Sequence, residues 1–157
     1  MIKNVIEVPV FSANTALADA VFGDKYSEYP QFRFLEYHID DERSIFFYLL
    51  NNVPQVADEL FLDQIIQMAP FSFLVVDPLE EIRQSATGEI CRMYFEQFET
   101  PMFFIVLTND EELKNNFENE PLVAENNIKI ILADPEGKDI LKSVLKEAFN
   151  QIIPQAQ

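Results

Sequence analysis

Residues 71–77, FSFLVVD, and 101–107, PMFFIVL, are short segments in which almost every side chain is apolar. A strand with one wet face alternates apolar and polar residues, so the segment at 71–77 belongs at the centre of a sheet covered on both sides, and 101–107 reads as a further strand. Short apolar runs alternate with longer helical patterns along the rest of the chain, the order expected of an α/β sheet between helical layers. At 157 residues and 48% hydrophobic, with 15 Phe, the chain has the size and apolar content of one packed domain spanning 1–157.

Six strands are expected. The first covers 3–10 and leads into a helix over 15–23 that ends near Gly23. FRFLEYHI (32–39) and RSIFFYLL (43–50) are separated only by Asp40-Asp41-Glu42, a link too short for anything but an antiparallel hairpin. A helix over 56–67 precedes the strand at 71–77. Asp77-Pro78-Leu79-Glu80 then reads as a capped helix start, with Ile82, Ala86, Ile90, Met93 and Tyr94 on the buried side. The strand at 101–107 is followed by an acidic helix over 111–118, a loop-like stretch from Glu118 to Asn127, and a strand at 128–132. A final helix over 136–151 carries Ile140, Leu141, Val144, Leu145 and Phe149 at helical spacing. One hairpin in an otherwise parallel, helix-covered sheet directs attention to the carboxyl ends of the strands, where such sheets bind ligands.

Charge narrows the partners. With 27 acidic against 11 basic residues the net charge is −16, which repels phosphate backbones and anionic lipid heads. Nucleic acid and membrane are not expected partners; a protein partner, or solubility alone, accounts for the acidity. Cys91 is the single cysteine, so no internal disulfide forms, which fits a cytoplasmic setting. No apolar run reaches the roughly 18 residues of a membrane span, and MIKNVIEVPV lacks the order of a signal peptide.

The first strand runs into VPVFSANTA, residues 8–16. A phosphate-binding loop of the form GxxxxGK[ST] uses its glycines to turn successive N–H groups inward and its lysine to neutralise the outer phosphates. Over this stretch the template positions become Val8, Ala13, Asn14 and Thr15, and only the hydroxyl survives. Holding Val or Ala in backbone conformations suited to glycine costs on the order of 1–3 kcal/mol each. On the residues alone, Thr15 is expected to cap the first helix and Pro9 to shape the turn.

With these residues the chain resembles a Ras-like small GTPase, of the bacterial type related to gliding-motility polarity GTPases. Their loop GPFGAGKTT is similar to VPVFSANTA, with Pro9 and Thr15 matching. Their LYLFGTPGQ, a form of the DxxG motif, is similar to FYLLNNVPQV (47–56): Pro54 is kept, Asn52 stands at the acidic or glycine position, Gln55 replaces the glycine and Val56 the glutamine. TNDEE (108–112) lies where the family has N-K-x-D for guanine, so Asn109 matches, Asp110 replaces the lysine and Glu112 the aspartate. LADPEG (132–137), with Asp134, lies where related proteins contact the base. The resemblance implies a P-loop NTPase or small-GTPase-like three-layer sandwich. The altered motifs imply a pseudo-GTPase with no catalytic residue and no cofactor or metal. Phe11 or its neighbours would then fill part of the former phosphate space. Phosphoryl transfer depends on positioning and charge stabilisation, so tight GTP binding and hydrolysis are not expected.

Other candidates have plainer readings. Asp77 and Asp134 end strands and could ligate magnesium, but each precedes a proline and reads first as a helix cap. His38 shares a strand face with Glu36 and reads as a surface residue, while Cys91 sits in a helical pattern and reads as packing. The consecutive Phe46, Phe47 and Tyr48 indicate apolar packing on both faces of their strand.

Two functional expectations follow, with a weaker third. The first is a non-catalytic interaction or scaffold module in bacterial signalling, meeting its partner through Phe46, Tyr48, Val53, Val56 and Phe61. The resemblance implies a Roadblock-type regulator as that partner. The second is a divergent nucleotide-binding switch or slow NTPase that retains Thr15, Asn109 and Glu112. The third is an acidic inhibitor of a basic partner.

Overall fold

The computed structural model describes residues 4–54 and 60–152. Within them the strands are β1 (Asn4–Ser12), β2 (Ser27–Glu28), β3 (Arg33–His38), β4 (Arg43–Leu50), β5 (Ser72–Val76), β6 (Met102–Val106) and β7 (Lys129–Leu132). The helices are α1 (Thr15–Phe22), α2 (Leu60–Met68), α3 (Ala86–Gln97), α4 (Glu111–Glu118), α5 (Pro121–Glu125) and α6 (Ile140–Ile152). The strands form one sheet in the order β2-β3-β4-β1-β5-β6-β7. β4, β1, β5, β6 and β7 run parallel, and β2 and β3 pair antiparallel at one edge.

The two apolar segments at 71–77 and 101–107 supply neighbouring strands, and every residue of β5 and β6 is buried. Alternation along the strands sorts the core into two layers. Phe11, Tyr48, Leu74 and Phe104 pack against α2 and α3 on one face. Val10, Phe47, Phe73 and Ile105 pack against α1 and α6 on the other. Phe46, Phe47 and Tyr48 divide between these faces, as their unbroken apolar run requires. Cys91 is buried in the first layer, and burial pushes its thiol up to about 12.

Several boundaries differ from the sequence expectations for local reasons. β2 adds a seventh strand; at two polar residues it carries no periodicity to read. The stretch expected to be loop-like holds α5, which Pro121 starts at the first turn, where its missing N–H has no role. Asp77 and Asp134 do not cap helices. Each accepts a hydrogen bond from the backbone N–H two residues ahead, Leu79 and Glu136, both at 2.9 Å. These are Asx turns, and α3 and α6 begin later, at Ala86 and Ile140. Ser85 caps α3 through the Gly88 N–H at 3.1 Å.

α1 also starts differently from the expectation. Asn14, not Thr15, is its cap, accepting from Leu17 N–H at 3.0 Å. Pro9 lies inside β1 rather than in a turn. A proline there is tolerated because pairing with β5 begins only at Val10, while β4 already flanks the other side. At its far end α1 stops on Gly23, whose φ of 84° suits a residue without a side chain.

Candidate functional site

The carboxyl edge of the sheet gathers the connections that follow β1, β4, β5, β6 and β7. After β1 the connection is two residues long. The strand continues through Ser12 and the helix begins at Thr15, leaving Ala13 and Asn14 between them. Val8 to Phe11 pair with β4, and Val10 to Ser12 pair with β5. Their backbone groups therefore lie in the sheet, with Val8, Val10 and Phe11 no more than 1% exposed. Phe11 does not occupy a space above the edge as expected; its ring is drawn beneath the sheet, edge-on to Tyr94 at 5.5 Å.

Beyond β4, Asn51 to Pro54 come round to the start of α1. Thr15, Asn52 and Pro54 line one cavity of about 390 Å³ with the Tyr29–Arg33 turn and Leu62. Three of the sequence-derived positions thus meet. Gln55 and Val56 lie outside the described residues. Asn109, Glu112 and Asp134 do not line this cavity; they stand exposed further along the edge.

That edge is acidic. Asp110 caps α4 through Glu112 N–H at 2.9 Å, and its own N–H is held by Thr108 Oγ1 at 3.2 Å. Glu111 and Glu112 follow in the first turn of α4, where a helix N-terminus favours negative charge. Asp134 and Glu136 project from the β7–α6 connection. Across the connections after β1, β6 and β7, Lys138 is the only cation. Among the described residues no cluster of three or more His, Cys, Asp or Glu side chains is disposed to hold a metal ion. His38 is exposed, with Nε2 3.3 Å from Glu36 and Nδ1 3.2 Å from Ser44 Oγ.

The partner surface expected from sequence changes in composition. Tyr48 and Val53 are buried, at 5% and 4% exposure, so neither can meet a partner directly. Tyr48 instead donates its hydroxyl to Glu7 at 2.9 Å and packs under the rings of Phe32, Phe34 and Phe61. Burial and the neighbouring Glu7 carboxylate raise its phenol well above the ordinary range. The outward part of this aromatic group is Phe61, 58% exposed, Tyr29, 53% exposed and stacked on Phe32 at 5.0 Å, and half-buried Phe34 and Phe46. Tyr29 was missed in the sequence because it precedes Pro30 in a stretch with no periodic pattern, and Phe32 was read only as the start of the strand at 32–39.

The fold is an α/β domain that resembles part of two solved translation elongation factors. The elongation factor SelB from Methanococcus maripaludis, in complex with the GTP analogue GppNHp, matches with a TM-score of 0.51. It is 15% identical over 98% of this chain and 34% of its own. A bacterial selenocysteine-specific elongation factor, EF-Sec, matches with a TM-score of 0.59 at 21% identity, over 94% of this chain and 29% of its own. The chain thus spans about a third of the length of these factors. No protein-family model and no curated protein matches the sequence. Among the described residues no helix is long and apolar enough to cross a membrane.

Proposed function

We propose that this chain is a non-catalytic protein-interaction module on a GTPase-type fold. The observation that carries this reading is the strand character of β1 through Ser12. A cradle for a triphosphate needs several consecutive N–H groups turned toward one point. A two-residue link between a doubly paired strand and a capped helix offers no such arc. The three glycines of the chain lie at 23, 88 and 137, all outside this connection. The acidic edge beyond it adds repulsion toward an anionic ligand.

The partner reading rests on the exposed rings. Tyr29 and Phe61, backed by Phe32, Phe34 and Phe46, give an aromatic patch at the β3–α2 side of the cavity, of the residue type enriched at interface centres. A Roadblock-type regulator in bacterial signalling is the partner class that the sequence resemblance suggests.

The test is thermal unfolding of the purified chain with millimolar GTP or GDP and magnesium. A ligand at about 100 times its Kd adds about 2.7 kcal/mol of stability. For a domain of this size that is a rise of about 5–10 °C in Tm. We expect no shift with either nucleotide. A shift of this size defeats the proposal.

A second reading draws on the cavity shared by Thr15, Asn52 and Pro54, whose volume falls within the roughly 300–1,000 Å³ of small-ligand sites. It also draws on SelB, which holds a GTP analogue. In this reading the chain is a divergent nucleotide-binding switch. Nucleotide turnover that disappears on Thr15→Ala would select it over the interaction module.

A further inference from the structure

The face of the sheet opposite the aromatic patch carries a different feature. On the α1/α6 side, the amino-terminal part of β1 and the closed end of the β3–β4 hairpin reach beyond the cover of α6. A groove of about 490 Å³ runs there between α6 and the hairpin. Its floor is apolar: Ile6, Tyr37, Ile39, Ile45, Leu145 and Phe149. Ile39 is 41% exposed, and Ile6, Tyr37 and Phe149 are half-buried. Its rim carries Lys142, Lys146 and Arg43, and no carboxylate lines it.

That rim runs against the chain as a whole, in which acidic residues outnumber basic ones 27 to 11. Arg43 is largely committed, since Asp40 takes its Nη2 at 2.7 Å and its Nε at 2.8 Å. Lys142 and Lys146 make no ion pair among the described residues and supply the free charge. They stand one turn apart on α6, about 6 Å along its axis. The cations are spaced along the groove and do not converge on one point. Such spacing suits an occupant with several separated negative charges better than one with a single headgroup. An anionic bilayer would extend past the groove over Asp40, Asp41, Glu42 and Glu147, exposed carboxylates next in sequence to its lining residues, whereas a single helix is only about 10–12 Å wide.

We propose that this groove is a docking site for an acidic amphipathic helix of a partner protein. The apolar side chains of the helix would lie on Tyr37, Ile39 and Phe149, the accessible part of the floor, and its carboxylates would reach Lys142 and Lys146. This goes beyond the interaction module proposed above and does not depend on it. The groove lies on the other face of β3 and β4, and nucleotide binding at the carboxyl edge would leave it intact.

The experiment titrates the full chain into a dye-labelled synthetic helix with Leu at i, i+3, i+4 and i+7 and Glu flanking them, read by fluorescence anisotropy. The same helix with Gln for Glu, decanoate, and phosphatidylglycerol vesicles are tested in parallel. We expect the acidic helix to bind and the Gln helix to bind at least about tenfold more weakly. The Lys142→Gln/Lys146→Gln variant should lose a comparable factor, and added salt should weaken binding. Amide chemical-shift changes should centre on Tyr37, Ile39 and Phe149. Ile39→Asp, at an exposed position, checks the apolar half of the site independently and should also weaken binding. Equal affinity for the two helices, an unaffected double lysine variant, or shifts that map elsewhere would overturn the proposal. So would binding confined to decanoate or vesicles, or self-association of the chain that blocks the helix.

Discussion

The chain starts two helices at the carboxyl edge of adjacent strands, and it does so in opposite ways. β1 passes into α1 through Ala13 and Asn14 alone, with one side-chain cap. β5 passes into α3 through nine residues that fold into an Asx turn at Asp77, a 3-10 turn over Ile82–Gln84 and a cap at Ser85. The Glu80 backbone N–H bonds back to the Asp77 carbonyl at 3.1 Å, but its carboxylate reaches forward to Thr87, accepting from Oγ1 at 2.7 Å. The Arg83 carbonyl accepts from Arg92 at 3.3 Å. A nucleotide-binding chain would need the elaborate start after its first strand, where the phosphates sit. Here the built loop and the close-packed glycine belong to α3, and the first connection is reduced to a strand end and a cap. The difference is between a loop built around the start of α3 and a first connection that is only a strand end and a cap.

The largest way to break this contrast is Gly88→Ala. A Cβ at Gly88 would fall 1.7 Å from the Ile82 carbonyl oxygen, a backbone atom that cannot move aside alone. Helix propensity by itself would make alanine more stable by about 1 kcal/mol. We expect a loss of about 3 kcal/mol or more instead, because the 3-10 turn and α3 must separate. The urea midpoint reads this directly. An unchanged or raised midpoint would mean that the α3 start is no tighter than that of α1.

Tyr94→Phe probes the far end of α3. The Tyr94 hydroxyl lies 2.9 Å from Ser72 Oγ and donates to the Thr100 carbonyl at 2.8 Å, while Thr100 Oγ1 donates to the Ile66 carbonyl at 2.7 Å. This buried chain ties α3 to β5 and to the end of α2. Its deletion leaves dry polar partners and should cost about 1–3 kcal/mol. Ser72→Ala on the same background should add less than it does alone.

Burial also pushes the Tyr94 phenol up from 10.0 to about 12 and the Cys91 thiol from 9.0 to about 12. Both groups hold their protons longer in the folded chain than in the unfolded one. Their contribution is whole below about pH 9 and declines as the pH rises toward 12. Stability should therefore fall with pH across that window. The fall should be shallower in a Tyr94→Phe/Cys91→Ala variant, as measured by unfolding at fixed urea.

Much of the fold was readable because the strands announce themselves. β4 and α4 have the bounds that the sequence indicates, and β5 and β6 lie inside the two apolar runs. What stayed hidden was set by partners distant in sequence or by segments too short to show a period. Ser27–Glu28 is a strand only because β3 is beside it. The start of α3 moves from Asp77 to Ala86 because Asp77, Glu80 and Ser85 each find other bonds. The site was the least legible part. The GxxxxGK[ST] template suggested a loop at 8–15, although the apolar run through Val10 and Phe11 was already that of a buried strand. Tyr48 and Val53 were placed on a partner surface by the resemblance to small GTPases, although the consecutive Phe46, Phe47 and Tyr48 already indicated packing on both faces of the strand. The rings of Phe32, Phe34 and Phe61 that cover Tyr48 come from three other segments.

The smallest predicted effect bears most directly on the plain side of the contrast. Asn14 holds the first turn of α1 through one bond to Leu17 N–H in an exposed position. Asn14→Ala should therefore cost about 1 kcal/mol, and Asn14→Gly a few tenths. If the connection is only a helix cap, this loss will be the same with and without millimolar GTP and magnesium. If the N–H groups at the start of α1 also receive a phosphate, nucleotide will compensate for the missing carboxamide and the loss will shrink. Urea unfolding of both variants in the two conditions separates these outcomes. A nucleotide-dependent difference would remove the contrast between α1 and α3, because the short connection would then hold a ligand after all.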